Sequence, residues 1–227
     1  MRKMSKEKPP KIAMVVGATG ATGQVLMKYL LECDRYSKVI VLHYRTTPWL
    51  DHPKVREIVL SLGQLKELET SSTVDALFCC LGTTIKKAGS KYEFARVDRD
   101  YVLALGQWAA NHGQPSFHLI SAYGADGGSM AFYMKVKGET EHGLKQMGLR
   151  SLSIYQPSLL HGERDEFRLM ESVGYYVMSL LGSLPVSGLK VLRPTRIEAL
   201  AKLMYQQSLL DVSGLQVLRP SDIAACE

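Results

Sequence analysis

Met14-Val15-Val16-Gly17-Ala18-Thr19-Gly20-Ala21-Thr22-Gly23 is the stretch that decides the fold. The apolar run from Ile12 to Val16 stops at a glycine, two more glycines follow at spacings of three, and a helical pattern (Val25, Leu26, Tyr29, Leu30) begins at once. That order is strand, tight turn, helix. Glycines in such a turn let the backbone bend sharply and approach a pyrophosphate, whose charge then rests on free N–H groups and the positive end of the helix dipole. Gly17, Thr19, Gly20, Ala21, Thr22 and Gly23 are therefore assigned to a dinucleotide cofactor. Three glycines alone also fit an ordinary loop; the strand before and the helix after are what the binding motif needs.

Outward from the turn, apolar strands alternate with helical patterns. Lys38 to Tyr44, Glu57 to Leu60, Asp75 to Leu81, Ser116 to Ala122 and Ser151 to Tyr155 read as strands. A short helix at Gln64 to Glu69 and longer ones at Tyr92 to Asn111 (Phe94, Val97, Tyr101, Leu105, Trp108) and Met130 to Met147 lie between them. Near-continuous apolar strands such as DALFCCL are those buried on both faces. The alternation predicts an α/β fold, a Rossmann-like, doubly wound and mainly parallel sheet with helices on both faces.

The 227 residues, 46% of them hydrophobic, suit one sizeable domain over 11–227 after a charged leader, residues 1–10, that ends in two prolines. A net charge of +6 is spread out with no basic run interleaved with aromatics, so small anionic molecules are expected as partners and nucleic acid is not. The longest apolar window, Tyr175 to Val186, is interrupted by Gly182 and Pro185 and too short to cross a bilayer. No membrane association is expected, and the location is read as cytoplasmic. The four cysteines lack C-x-x-C spacing and the six histidines are scattered, so reduced core cysteines and no metal are expected.

The second strand ends in His43-Tyr44-Arg45 with no acid to hold a ribose 2′-hydroxyl, which favours NADP(H) over NAD(H), with Arg45 on the 2′-phosphate. An ordinary surface arginine is the other reading of Arg45. Leu81, Gly82 and Thr83 close the fourth strand in small residues that let a cofactor pass near the backbone, although a simple turn also accounts for the threonines. Beyond Pro157 the alternation fades, and 158–188 is read as a substrate-side cover. The tail repeats itself once, GLKVLRPTRI from Gly188 and GLQVLRPSDI from Gly214. The first copy is expected to form a strand and a helix to about Leu210, the second a last strand.

Tyr133 and Lys137, four apart on a predicted helix, share one face. A neighbouring ammonium favours the phenolate and brings a tyrosine toward acid/base range. Ser121, at the end of the fifth strand, could polarise a substrate oxygen. GATGATG, CCLGTT (Cys79 to Thr84), RVDRDYV (Arg96 to Val102), SAYGAD (Ser121 to Asp126) and YMKVKGETE (Tyr133 to Glu141) together resemble the short-chain dehydrogenase/reductase superfamily, in its atypical, Tat-interacting-protein-like branch. The resemblance covers roughly Lys11 to Pro157. It implies an NADP(H)-binding oxidoreductase with Ser121, Tyr133 and Lys137 on catalytic positions, and Tyr133, Lys137 and Pro157 beside the cofactor; it equally admits a non-catalytic NADP(H)-binding regulator acting on a protein partner or as a homodimer. Asp98 stands where many members carry asparagine. It either alters the proton relay behind Lys137 or is a surface acid paired with Arg96 or Arg99. The serine-to-tyrosine spacing is one shorter than is common, and Ser158 follows Pro157 where glycine is frequent.

Overall fold

Apolar runs that end at small residues form parallel strands buried on both faces. The computed structural model describes residues 9–44, 46–68, 73–161 and 194–226. Within them β1 (Lys11–Val16), β2 (Tyr36–His43), β3 (Val55–Val59), β4 (Ala76–Cys79), β5 (Ser116–Ile120), β6 (Ser151–Tyr155) and β9 (Gly214–Leu218) form one sheet in the order β3-β2-β1-β4-β5-β6-β9. Each neighbouring pair is parallel. β7 (Leu160–His161) and β8 (Thr195–Arg196) make a separate two-residue parallel pair.

Because side chains alternate along a strand, each face of the sheet has its own core. Met14, Val16, Ile40, Leu42, Leu77 and Phe117 pack with Leu105 and Trp108 on one side. Ala13, Val15, Val39, Val41 and Phe78 pack on the other with Leu26, Met27 and Leu30 of α1 (Ala21–Glu32) and Leu200 and Met204 of a C-terminal helix, Ile197–Leu209. Each fully buried Leu or Met contributes roughly 1.5–3 kcal/mol. Two apolar faces per strand are why these runs read as unbroken.

The turn after β4 is more than a turn. Thr84 caps a four-residue helix, α2 (Ile85–Ala88), by accepting the Lys87 N–H at 3.1 Å, and Gly89 at φ 83° closes it. The expected helix Tyr92–Asn111 begins at Lys91, with Ser90 accepting the Glu93 N–H, and runs as α3 (Lys91–Ala95), a π-helical turn (Arg96–Asp100) and α4 (Tyr101–Asn111). The inward face differs from the expected one at two positions. Phe94, Asp98, Val102, Leu105 and Trp108 are buried, whereas Val97 and Tyr101, expected to face inward, are half-buried.

α5 (Phe132–Gln146) follows β5, α6 is Ile197–Leu209 and α7 is Pro220–Ala224. The second copy of the tail repeat forms the last strand, as expected, and its Pro220 then opens a short helix; in the first copy Pro194 precedes β8 and α6 starts at Ile197. The start of that first copy, most of the expected cover (162–188) and Arg45 lie outside the described residues. Among the described residues no helix is long and apolar enough to cross a membrane, and no three His, Cys, Asp or Glu side chains group as metal ligands.

Candidate functional site

The glycine turn lies where the strand order reverses, between β1 and β4, at the carboxyl ends of the strands. Gly17 has φ +83°, and a Cβ there would sit 2.5 Å from the Cys80 carbonyl oxygen, so only glycine fits between the turn and the end of β4. A Cβ on Gly23 would meet the Gly17 oxygen at 2.2 Å; on Gly20 it would meet the same atom at 3.3 Å. The Gly20 N–H donates to the Gly17 carbonyl at 3.0 Å and Gly20 leads into α1, whose first turn has neither an acidic residue nor a side-chain cap. The donors and dipole of that helix end are thus shaped for an anion. Thr22 is buried, Ala21 exposed, and Thr19 Oγ1 lies 3.2 Å from His43 Nε2, which ties the turn to the end of β2. His43 in turn stacks on the exposed Tyr44 ring with centroids 4.6 Å apart.

At the far side of β4, a Cβ on Gly82 would come no nearer than 4.0 Å to Asp98 Oδ1, and Leu81 packs against the core. Such a backbone admits the close approach of a cofactor, and the residues from the glycine turn to Thr83 fit a dinucleotide. Thr83 donates its N–H to Asp98 Oδ2 at 3.0 Å. Asp98 is 1% exposed, and its Oδ1 lies 2.8 Å from Lys137 Nζ, itself buried. The hydroxyl of Thr140 is shared between the Asp98 carbonyl at 3.0 Å and the Val136 carbonyl at 2.8 Å, at the contact of the π-helical turn with α5. Asp98 is therefore no surface acid. Arg99 pairs with Asp100 and Glu139, and Arg96 with Glu93.

Tyr133 is half-buried one turn before Lys137, with its ring 5.7 Å from Phe94 and 6.0 Å from Lys137 Nζ. Burial pushes its hydroxyl above the usual tyrosine range; Lys137 pulls it down, as the spacing led us to expect, but Asp98 pushes it up again, and the net shift is upward. The expected activation of the phenolate is thus outweighed. Burial disfavours the Lys137 ammonium, yet the Asp98 carboxylate beside it more than restores it, and Lys137 stays charged.

Ser121 is buried directly after β5, at the strand end where it was expected. Its hydroxyl donates to Glu141 Oε1 at 2.6 Å, and Gln156 Nε2 donates to the same oxygen at 2.8 Å. Lys145 Nζ reaches Glu141 Oε2 at 3.2 Å. Glu141 is 3% exposed and lies eight residues past Tyr133, about 12 Å of helix rise. The structure thus brings Tyr133, Lys137, Asp98 and Thr83 together and gives Ser121 to Glu141. Pro157 is buried at the end of β6, its carbonyl accepting the Tyr123 N–H at 2.9 Å. The sequence marked Asp98 as a departure from the family's asparagine, behind Lys137 or on the surface, and the structure places it behind Lys137; Glu141 was missed, and its available signal was its place on the Tyr133–Lys137 face, a third step of four.

A parallel sheet in this order, a glycine turn at its switch point and a buried lysine–carboxylate pair beside a tyrosine define a protein with the NAD(P)-binding oxidoreductase fold. The chain belongs to the atypical short-chain dehydrogenase/reductase family, in its Tat-interacting-protein-like branch. It is 37% identical over 180 residues to protein HTATIP2 of Rattus norvegicus, covering 78% of this chain and 73% of that one. It is 31% identical over 176 residues to the mitochondrial protein FMP52 of Eremothecium gossypii, covering 78% and 77%. No family model matches the chain. Among solved structures it is similar in fold to the Bordetella bronchiseptica enzyme WbmH in complex with NAD+ (TM-score 0.67, 15% identity, 93% of this chain and 76% of that one). It is similar also to dTDP-4-dehydrorhamnose reductase of Bacillus anthracis in complex with NADP (TM-score 0.62, 10% identity, 93% and 75%).

Proposed function

We propose that this protein is an NADP(H)-dependent oxidoreductase that interconverts a carbonyl and an alcohol. The observation that carries this reading is the buried Asp98–Lys137 pair beside Tyr133, at the strand ends next to the glycine turn. Withdrawing two charges from water is costly, and such pairs concentrate where chemistry uses them. When bound, the nicotinamide supplies or accepts the hydride. Tyr133 gives or takes the proton at its hydroxyl. Lys137, held by Asp98, keeps a positive charge beside Tyr133 and would hold the cofactor ribose. Ser121 orients the substrate once its hydroxyl turns from Glu141.

The preference for NADP(H) rests on Arg45 and on the absence of an acid in His43-Tyr44-Arg45. Arg45→Ala is expected to weaken NADPH far more than NADH, and equal weakening would overturn the preference. A cytoplasmic location belongs to the same proposal; fractionation that finds the protein in mitochondria, the location in the FMP52 names, overturns it.

The test is NADPH oxidation against a panel of carbonyls. Tyr133→Phe is expected to lose about 10²–10⁴-fold in turnover while binding NADPH as the parent does. A second reading, an NADP(H)-binding regulator without turnover, is favoured by one observation: the Ser121 proton is already committed to Glu141. If no carbonyl is reduced while NADPH still raises the melting temperature, that reading replaces the first.

A further inference from the structure

The π-helical turn Arg96–Asp100 sets a carboxylate against Lys137 where water does not reach. Asp98 is fixed at both carboxylate oxygens, by Lys137 on one and the Thr83 N–H on the other, and its backbone carbonyl meets the Thr140 hydroxyl that Val136 shares. Among the described residues, the charged and titratable groups that act on Tyr133 and Lys137 come from three elements. α5 brings Tyr133 and Lys137, the π-helical turn brings Asp98, and β4 brings Cys79, whose thiol burial pushes up to about 12 and so keeps neutral. Phe94 of α3 adds an uncharged ring. An ammonium alone beside a phenol draws out the phenolate. An ammonium closed on a carboxylate is close to neutral at a distance, and burial then disfavours the phenolate.

We propose that Asp98 is a positioning residue that neutralises Lys137 and so keeps Tyr133 in its protonated form, the proton donor of carbonyl reduction. This rests on the oxidoreductase reading above. In that direction the carbonyl carbon gains the hydride given up by reduced nicotinamide, and the carbonyl oxygen takes the Tyr133 proton as the phenol O–H bond breaks. The carbonyl ends reduced to an alcohol, the nicotinamide oxidised, and the phenolate recovers its proton from water. The reverse reaction must start from the phenolate, which Asp98 opposes.

The experiment uses the full chain carrying Asp98→Asn, with Asp98→Glu as the variant that keeps the charge. Rates of carbonyl reduction and alcohol oxidation are measured across pH. In Asp98→Asn the pH at which oxidation sets in, and that at which reduction declines, should both fall by about one unit or more, while Asp98→Glu stays nearer the parent. A readout without cofactor is NMR of Cζ-labelled tyrosine, with the Tyr133 signal assigned by its loss in Tyr133→Phe: its phenolate should form at lower pH in Asp98→Asn. Asp98→Asn leaves Lys137 unpaired in the interior, so the same titration compares Lys137→Met with Asp98→Asn/Lys137→Met, a pair in which the double variant buries no charge. There too the phenolate should form at lower pH when the carboxylate is gone. Unmoved midpoints in both comparisons overturn the inference, and they overturn it alone where the parent turns over and Tyr133→Phe does not. A parent that reduces no carbonyl takes the reductive assignment down together with the oxidoreductase reading.

Discussion

His118 makes the acid stability of this fold a quantitative matter. Its ring is 1% exposed on β5, stacked on Phe78 with centroids 4.8 Å apart, with Nδ1 2.9 Å from the Tyr155 hydroxyl and Nε2 3.1 Å from Ser116 Oγ. Burial, and secondarily the charge of Lys11, lowers its pKa to about 3. In the unfolded chain the same imidazole titrates near ~6.5. The folded value lies below the unfolded one, so the unfolded chain binds the extra proton. The stabilisation is complete above pH ~6.5 and is lost as the pH falls toward 3. At about 1.4 kcal/mol per unit, going from neutral pH to pH ~5 should remove about 2 kcal/mol through this one residue. Guanidinium unfolding at both pH values, on the parent and on His118→Gln, isolates the contribution, because the carboxylates common to both cancel in the difference. The parent should lose about 2 kcal/mol more than the variant on acidification. Equal losses would show that His118 takes up its proton without unfolding, and would refute the reasoning.

Gly23→Ala sets a Cβ 2.2 Å from a backbone oxygen and should cost about 1–3 kcal/mol, visible as a lower melting temperature, whereas Gly20→Ala, at 3.3 Å, should cost less; the reverse order would contradict the packing of the turn. Glu141→Leu strands the Ser121 and Gln156 donors and should lose about 1–3 kcal/mol. Glu141→Gln keeps an acceptor for both and gives up only the link to the partly exposed Lys145, so equal losses in the two variants would reject this account. Ser121→Ala should lower kcat/KM by about 10²–10³-fold if the hydroxyl turns to the substrate. A loss under about tenfold assigns it to Glu141 instead.

What was legible in the sequence is what local backbone and helix geometry impose. Gly17 must adopt a positive φ against Cys80 wherever the rest of the chain goes, and Tyr133 and Lys137 must share a face on any helix. The strands were equally readable because both faces are apolar, and β6 falls at Ser151–Tyr155 as expected. Boundaries shifted where a cap decided them. Thr84 starts a helix too short to show a period, and β2 begins at Tyr36, whose hydroxyl is buried through a bond to Ser208 from the distant α6.

The π-helical turn was hidden for a more instructive reason. Between Phe94 and Leu105 a period of 3.6 admits Val97 with Tyr101 and Asp98 with Val102 alike, and hydropathy alone favours the first pair. Nothing local rewards burying an aspartate. Lys137, on another helix, and the Thr83 N–H at the end of β4 make it acceptable, and both lie far from Asp98 in sequence. The same long-range dependence moved Ser121: its place at a strand end was readable, but its direction is set by Glu141. Cofactor binding depends on backbone that the sequence specifies nearby, whereas the proton chemistry depends on which carboxylate each polar side chain finds across the fold. That is why Tyr133 cannot be assigned an acid or base role from its lysine alone: the sign of its shift is decided by Asp98 and by burial.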